Sequence, residues 1–458
     1  MSDLHVVILA AGKGTRMKSS LPKVLHPVAG RPIIEYVLRV AESLSPATTT
    51  LVVGHMKDTL QQGLAAWPGL RFVVQEPQLG TGHALLQTAP VLEHETGVVL
   101  LLSGDVPLLR RHTLAVLLAR HQASGAAATV LTAVVEQPYG YGRIVRTKGK
   151  IARIVEERDA SPAQRKINEI NSGIFALSLG PLFSALRGLA SSNAQGEYYL
   201  TDLISAFRRQ KLGVDTAALE DPNEIRGINS RAELAEASKI VRQQKNAELM
   251  AAGVTIEDPA TTYIDDDVVV GADTVIHPGV FLEGKTQIGA ACEIHSGVRI
   301  VSSVLADRVT VRNFCVITNS RLASNVTVGP FAHLRPEADL RESVHVGNFV
   351  EIKKSVIGAG SKAGHLSYLG DATIGEEVNI GAGTITCNYD GTEKHRTVIE
   401  DGAFIGSDSQ LVAPVTVGRR AFVGSGTTVR ENVPAGALGV SAGKQRNIPD
   451  WKKKPRSR

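Results

Sequence analysis

At 458 residues, 43% hydrophobic and 21% charged, the chain has the make-up of a soluble protein with two or three domains, and 44 glycines against 4% aromatics point to a glycine-rich regular architecture somewhere in it. Three cysteines (Cys292, Cys315, Cys387) are too few and too scattered for a disulfide framework or a cysteine zinc site. The formal charge of +5 gathers largely in Trp451–Arg458, read as a solvated terminus; nothing elsewhere marks a nucleic-acid surface, a signal peptide or a membrane span, so a cytoplasmic chain is expected.

The apolar run Val6–Leu9 reads as a buried strand and ends in Leu9-Ala10-Ala11-Gly12-Lys13-Gly14-Thr15-Arg16, with Pro22-Lys23 close behind. Glycines let backbone N–H groups approach phosphate oxygens, and Lys13, Arg16 and Lys23 neutralise their charge, so the stretch suits a triphosphate. The spacing excludes both the GxxxxGK loop and the GxGxxG fingerprint. Gly-x-Gly-Thr-Arg, five residues, then Pro-Lys resembles the signature of the sugar-phosphate nucleotidyltransferases.

Further strands are expected at Thr50–Val53, Phe72–Val74, Val98–Leu102 and Ala128–Val134, with helices over Pro32–Leu44, Gly82–Leu92 and Arg111–Ser124. Such alternation predicts a mostly parallel sheet covered by helices, with ligands beyond the carboxyl ends of its strands. Gln75 offers donor and acceptor groups to a pyrimidine edge, and Gly80-Thr81-Gly82 suits a backbone closing over a base; Thr81 could equally cap the following helix. Ser103-Gly104-Asp105 ends an apolar strand, where a carboxylate can hold Mg²⁺ between protein and phosphates or close an Asx-turn. Gly142, Glu156 and Asn171 stand at strand-end positions that could bind sugar hydroxyls, and Asn229 precedes a capping box, Ser230-x-x-Glu233.

The region 231–252 reads as a helical linker that Gly253 stops; twenty such residues would span roughly 30 Å. From residue 253 to 458 a different period takes over. Val270, Ile276, Leu282, Ile288, Ile294 and Ile300 fall six apart, as do Leu322 to Ile352 and Ile405 to Val429. A period of six fits neither helix nor simple strand and marks a hexapeptide parallel β-helix. Asn388-Tyr389-Asp390-Gly391 interrupts it as a surface loop. His365, between small residues and near Lys353 and Tyr368, lies off the apolar register and suits a general base.

The order of these pieces, with Lys-Ala-Gly-His-Leu-Ser-Tyr-Leu-Gly-Asp at 362–371 and Asn-Ile-Gly-Ala-Gly-Thr-Ile-Thr-Cys-Asn-Tyr-Asp-Gly at 379–391, resembles the bifunctional N-acetylglucosamine-1-phosphate uridyltransferase/glucosamine-1-phosphate acetyltransferase family over nearly the whole chain. The resemblance implies an α/β nucleotidyltransferase domain (Rossmann-like, mostly parallel sheet; 1–230), the linker, and a left-handed parallel β-helix (253–458). It implies acetyl transfer from acetyl-CoA to glucosamine-1-phosphate. Uridylyl transfer from UTP to N-acetylglucosamine-1-phosphate follows, feeding peptidoglycan and lipopolysaccharide precursors. It implies that Leu9, Ala10, Ala11, Gly12, Lys23, Gln75, Gly80, Thr81, Ser103, Gly104, Asp105, Gly142, Glu156, Asn171 and Asn229 bind the uridylyl sugar, that Asp105 and Asn229 hold Mg²⁺, and that Arg16 and Lys23 stabilise the reacting phosphates. It further implies His365 as base, Arg335, Lys353, Tyr368 and Asn379 on the sugar phosphate, and Ala382, Asn388, Tyr389, Ser407 and Ser425 on acetyl-CoA and the reacting carbonyl, in a homotrimer. Two departures stand out. Ser103 replaces a frequent aromatic, and Ala442 replaces an Arg that contacts coenzyme A, with Lys444 or Arg446 as substitutes. An assembly scaffold with a degenerate transferase domain would lack Arg16, Lys23, Asp105 and His365; a pyrophosphorylase with a merely structural β-helix would need neither His365 nor the Asn388–Gly391 loop.

Overall fold

The computed structural model describes residues 3–12, 14–54, 56–441, 447 and 449. Lys13, Ala442, Lys444, Arg446 and the basic tail from Trp451 therefore lie outside the described residues. The chain divides into two compact units, Met1–Val241 and Arg242–Arg458.

In the first unit, Leu4–Leu9 lies at the centre of the sheet because Val6, Val7 and Ile8 bury both faces completely. Alternate residues of the sheet feed two apolar layers: Val7, Val52, Val99 and Leu101 on one face, Ile8, Leu51, Val53 and Leu102 on the other. The order across the sheet is Val214–Ala218, Ala128–Val134, Glu169–Ser178, Val98–Ser103, Leu4–Leu9, Thr48–Val53, Leu70–Val74. Only Glu169–Ser178 on this path runs antiparallel to its neighbours, and it carries the hairpin Arg143–Thr147/Lys150–Val155. The chain leaves Leu4–Leu9 toward one edge and returns at Val98–Ser103 on its other side. The crevice between those two carboxyl ends is the topological switch point, where such sheets bind ligands.

The expected helices form at Ile33–Glu42 and Arg111–Ser124, whereas the one expected over 82–92 divides into Thr81–Leu86 and Ala89–Leu92 around Thr88 and Pro90. Pro90 has no N–H to continue the first helix, but it fits the opening turn of the second. The helix Arg231–Ala251 begins with the anticipated capping box: Glu233 N donates to Ser230 Oγ (3.3 Å), and the Glu233 carboxylate accepts from Asn229 N (2.7 Å). Ala237 and Val241 join the core of the first unit around Val28, Ile33 and Ile228. Leu249 joins that of the second, and Asn246 Nδ2 donates there to the Pro259 and Thr262 carbonyls.

The second unit is a parallel β-helix whose sheets, among the described residues, hold eleven, ten and nine short strands; each strand pairs in parallel with the third one onward until Phe422–Val423, which pairs with Leu438–Gly439, the second onward. Two residues per hexad are buried, two positions apart: Ile276, Ile294, Val311, Val328 and Val346 stack without solvent contact, and Thr274, Cys292, Val309, Val326 and Val344 lie buried beside them. The period drops from six to five between Ile300 and Leu305, Ile317 and Leu322, Ile352 and Ile357, and Leu369 and Ile374. All four short steps fall at the corner between the second and third sheets. Each contains one residue forced to a left-handed backbone: Ser302, Asn319, Lys354 or Asp371 (φ 45–49°). These short corners, with the insertion between Thr386 and Ile399, are why three separate runs of sixes appear in the sequence where the core is continuous.

Candidate active sites

At the switch point of the first unit three distant stretches meet on one ammonium. Lys23 Nζ donates to Asp105 Oδ2 (2.5 Å) and to Asn229 Oδ1 (3.0 Å). Asp105 sits just beyond Val98–Ser103, whose Ser103 pairs with Leu9. Gly104 N donates to the Leu9 carbonyl, and Ile228 N to that of Asp105, which brings the Asn229 segment alongside. The Asp105 carboxylate thus turns to Lys23 rather than closing an Asx-turn on its own backbone. Gly14 lies at φ 58°, and a Cβ there would come within 2.8 Å of Lys23 Cβ, so the second glycine of the loop gives the lysine its path. Gly12 faces open space, and Arg16 is exposed on the short helix Thr15–Met17. Gln78, which the sequence reading passed over, donates through Nε2 to the Ala11 carbonyl and lies against Gly54, holding the glycine loop in place.

Gln75 is buried, and its Nε2 donates to the Gly80 carbonyl (2.9 Å) and faces His83 Nδ1 (3.2 Å). Its donor is thereby committed within the protein, and its carbonyl oxygen is the end available to a base. Gly80, at φ 103°, is pressed against Tyr198 and Glu197 and precedes the helix; Thr81 does not cap it, its hydroxyl instead accepting from Leu200 N (3.2 Å). Farther along, Gly142 lies against the Glu156 carboxylate, and the Gly142 carbonyl accepts from Asn171 N (2.9 Å). Burial holds Glu156 above the usual carboxylate range, opposed by the hydrogen bond it accepts from Thr201 (2.9 Å).

In the second unit the register forms two columns. The corner after the first sheet stacks Asn348, His365, Ala382, Ser407 and Ser425, one per coil: Ala363 pairs with Ile380, Ile380 with Ile405 and Ile405 with Val423, two residues ahead of each. His365 Nδ1–H donates to Asn348 Oδ1 (2.7 Å), which leaves the Nε2 lone pair directed outward. Asn348 went unread in the sequence; its signal was a position seventeen residues before His365, one short coil away.

The corner after the second sheet stacks Arg335, Lys353 and Gly370. Arg335 is held by Glu351 (2.7 Å). Lys353 faces Lys394 of the inserted loop, and the contact with that amine, then its repulsion, holds Lys353 below the usual lysine range. Lys394 is the third residue, after Gln78 and Asn348, that sequence reasoning missed. A Cβ at Gly370 would strike Tyr368 Oη and Asn388 Nδ2, so the glycine leaves room for these two side chains to meet. Asn388 Nδ2 also donates to Asp371 (2.5 Å). The loop closes on Asp390, whose carboxylate accepts from Thr392 N and Glu393 N and meets His395 Nε2 at 2.7 Å. Asn379 stands apart on the first sheet, paired with Lys362. The base and the Arg335–Lys353 cations thus occupy different corners of one chain.

This fold and these clusters define a nucleotidyltransferase domain joined to a hexapeptide-repeat transferase domain. Family models agree: a MobA-like NTP transferase domain matches residues 6–170, a GMPPB C-terminal domain 264–348 and the bacterial transferase hexapeptide 396–431. The chain is 51% identical over 453 residues to the bifunctional protein GlmU of Pelobacter propionicus, covering 99% of this chain and 98% of that protein. It is 49% identical to that of Geobacter metallireducens, with both chains covered in full, and 50% identical to that of Heliobacterium modesticaldum, with 96% of each covered. The chain belongs to the bifunctional GlmU family. No helix among the described residues is long and apolar enough to cross a membrane.

Proposed function

We propose that the chain makes UDP-N-acetylglucosamine in two steps at two separate sites, and that the residues named from the sequence carry them. The observation that carries this reading is the pairing of a cation-and-carboxylate cluster at the switch point of one unit with an oriented imidazole on the coil column of the other.

In the first step the amine of glucosamine-1-phosphate attacks the acetyl-CoA thioester carbonyl. His365 Nε2 takes the amine proton, the C–S bond breaks, and the thiolate leaves to be protonated. Asn348 fixes the tautomer that makes this possible. Arg335, Lys353 and Lys394 gather charge for the sugar phosphate, with Tyr368 beside them and Asn379 supplied from the other face. Ser407 and the Asn388–Tyr389 loop donate hydrogen bonds to the developing oxyanion. Ala382 and Ser425 line a groove for the coenzyme: the column from His365 to Ser425 runs about 14 Å at the usual strand spacing. Because base and cations stand at different corners of one chain, the complete site draws on a second copy, which supports a homotrimer.

In the second step an oxygen of the N-acetylglucosamine-1-phosphate phosphate attacks the α-phosphorus of UTP, and the bond to pyrophosphate breaks. Leu9–Gly12 and Gln78 shape the phosphate loop, Gln75 and Gly80-Thr81 take the uracil, and Gly142, Glu156 and Asn171 take the sugar. Lys23 and Arg16 stabilise charge on the phosphates, so the protein contributes mainly positioning and electrostatics. Asp105 Oδ2 and Asn229 Oδ1 fit Mg²⁺: both are hard oxygen donors already converging on one cation, the Lys23 ammonium. When bound there, Mg²⁺ would neutralise the triphosphate. Both co-substrates are cytoplasmic metabolites, which sets the chain in that compartment.

The test is an assay of purified protein with glucosamine-1-phosphate, acetyl-CoA, UTP and Mg²⁺, following free thiol and pyrophosphate separately. Release of both is expected. Pyrophosphate from supplied N-acetylglucosamine-1-phosphate without any thiol from the first step would reduce the β-helix to a scaffold and overturn the role of His365.

A further inference from the structure

We propose that the first coils of the β-helix carry a transition-metal site of the Zn²⁺ class, built from His277, Glu293 and His295. Ile276 and Ile294 point into the core and pair in register, so the next residues, His277 and His295, face outward one coil apart. Their rings stack with centroids 4.8 Å apart and planes 17° off parallel. Glu293, two residues before His295, reaches both: its Oε1 lies 3.5 Å from His277 Nε2 and 3.4 Å from His295 Nε2.

Those two separations are too long for good hydrogen bonds. They match the edge of a tetrahedron around a metal with bonds of about 2.1 Å, which is roughly 3.4 Å. All three ligand atoms lie within 4.8 Å of one another, so a rotation of the imidazoles closes the remaining edge. His277 Nε2 is sealed from solvent and has no hydrogen-bond partner. Its other nitrogen, Nδ1, donates to Glu257 Oε2 (3.0 Å) on the preceding coil. That is the carboxylate–histidine arrangement that fixes the tautomer of a metal-bound imidazole and raises its basicity. Two imidazoles and one carboxylate suit Zn²⁺ better than Mg²⁺, and half-exposed Glu293 leaves a fourth position for water.

The strand Lys362–His365 lies four coils beyond Glu293–Ile294, about 19 Å along the β-helix, so this site takes no part in acetyl transfer. It lies at the N-terminal end of the solenoid. The first strand of this sheet, Thr255–Ile256, has a strand neighbour on one side only, and a terminal coil gains most from a clip to the next one.

The test uses full-length protein stripped with a chelator and titrated with ZnCl₂ by calorimetry, and with Co²⁺ followed by visible absorption. The expected result is one equivalent bound through this cluster, tetrahedral-type Co²⁺ bands, and a rise of several degrees in the unfolding temperature. His295→Gln and Glu293→Gln should each weaken that equivalent at least tenfold and remove the bands, while Asp105→Asn, which alters the other carboxylate site, should keep them. His277→Gln is a third variant, checked by circular dichroism because its ring is partly buried. Equal Zn²⁺ binding by the parent and by folded His295→Gln and Glu293→Gln, or no binding by the parent, overturns the proposal.

Discussion

Lys23 and Asp105, 82 residues apart in the chain, form an ion pair of 2.5 Å with only about a tenth of the lysine side chain and a fifth of the aspartate exposed. Asn229 completes the cluster from the segment that leads into the long helix. A pair so placed holds two strand-end loops together, and under the proposed function it would offer oxygen ligands to an incoming cation and an ammonium to an incoming phosphate.

Asp105→Ala should therefore reduce uridylyl transfer by about a hundredfold or more, the scale of losing a key electrostatic group, and leave acetyl transfer unchanged. His365→Ala should do the reverse, with a loss of about 10²–10⁴ in acetyl transfer. Thiol and pyrophosphate release measured separately on each variant checks both. Loss of both activities in either folded variant would contradict separate sites.

Asn348→Ala should lower kcat for acetyl transfer roughly tenfold or more with little change in KM, because the imidazole loses its fixed tautomer but the substrate contacts stay. Steady-state kinetics of acetyl transfer on the folded variant checks this, and an unchanged kcat would mean that Asn348 does not orient the base.

Lys394→Ala should raise KM for glucosamine-1-phosphate. It should also shift the pH dependence of binding in a definite direction. In the parent, Lys394 depresses Lys353, so if Lys353 binds the phosphate as proposed, affinity should fall as pH rises through that lowered lysine range. Without Lys394, Lys353 returns toward its ordinary value and the fall moves to higher pH. Inhibition by inorganic phosphate across an alkaline pH series reads this directly.

Gly14→Ala should impair uridylyl transfer far more than stability. The left-handed backbone costs about 1–2 kcal/mol for a residue with a Cβ, and that Cβ would displace Lys23. A small drop in unfolding temperature beside a tenfold or larger fall in kcat/KM for uridylyl transfer is the expected pattern.

Leu334→Ala, by contrast, removes a fully buried rung of the β-helix and should cost about 2–5 kcal/mol, seen in denaturant unfolding.

How much of this could be read beforehand depends on where the information is local. The hexad pattern around Ile276 and Ile294 is local, and so are the glycine loop before Lys23 and the capping box at Ser230. The partition of 82–92 into two helices followed from Pro90, a visible breaker that the apolar spacing concealed. Asn348 and Lys394 were less accessible because their roles depend on which residue lies one coil away. That count was obscured wherever Ser302, Asn319, Lys354 or Asp371 shortened a corner. Gln75 was read as free to pair at both ends of its amide. Only the tertiary contacts with Gly80 and His83 commit the donor end.

The inserted loop at 388–395 leaves the solenoid and rejoins it without disturbing the pairing of Ile380 with Ile405. Lengths along the acetyl site are thus graduated like the marks on a ruler, in whole coils of about 4.8 Å, whatever the number of residues spent between marks. Moving His365 relative to Ala382, Ser407 and Ser425 would require adding or removing a complete turn of the β-helix. Lengthening or trimming a corner loop would leave that distance unchanged, so an insertion can carry Asn388 and Lys394 without altering the spacing of the column.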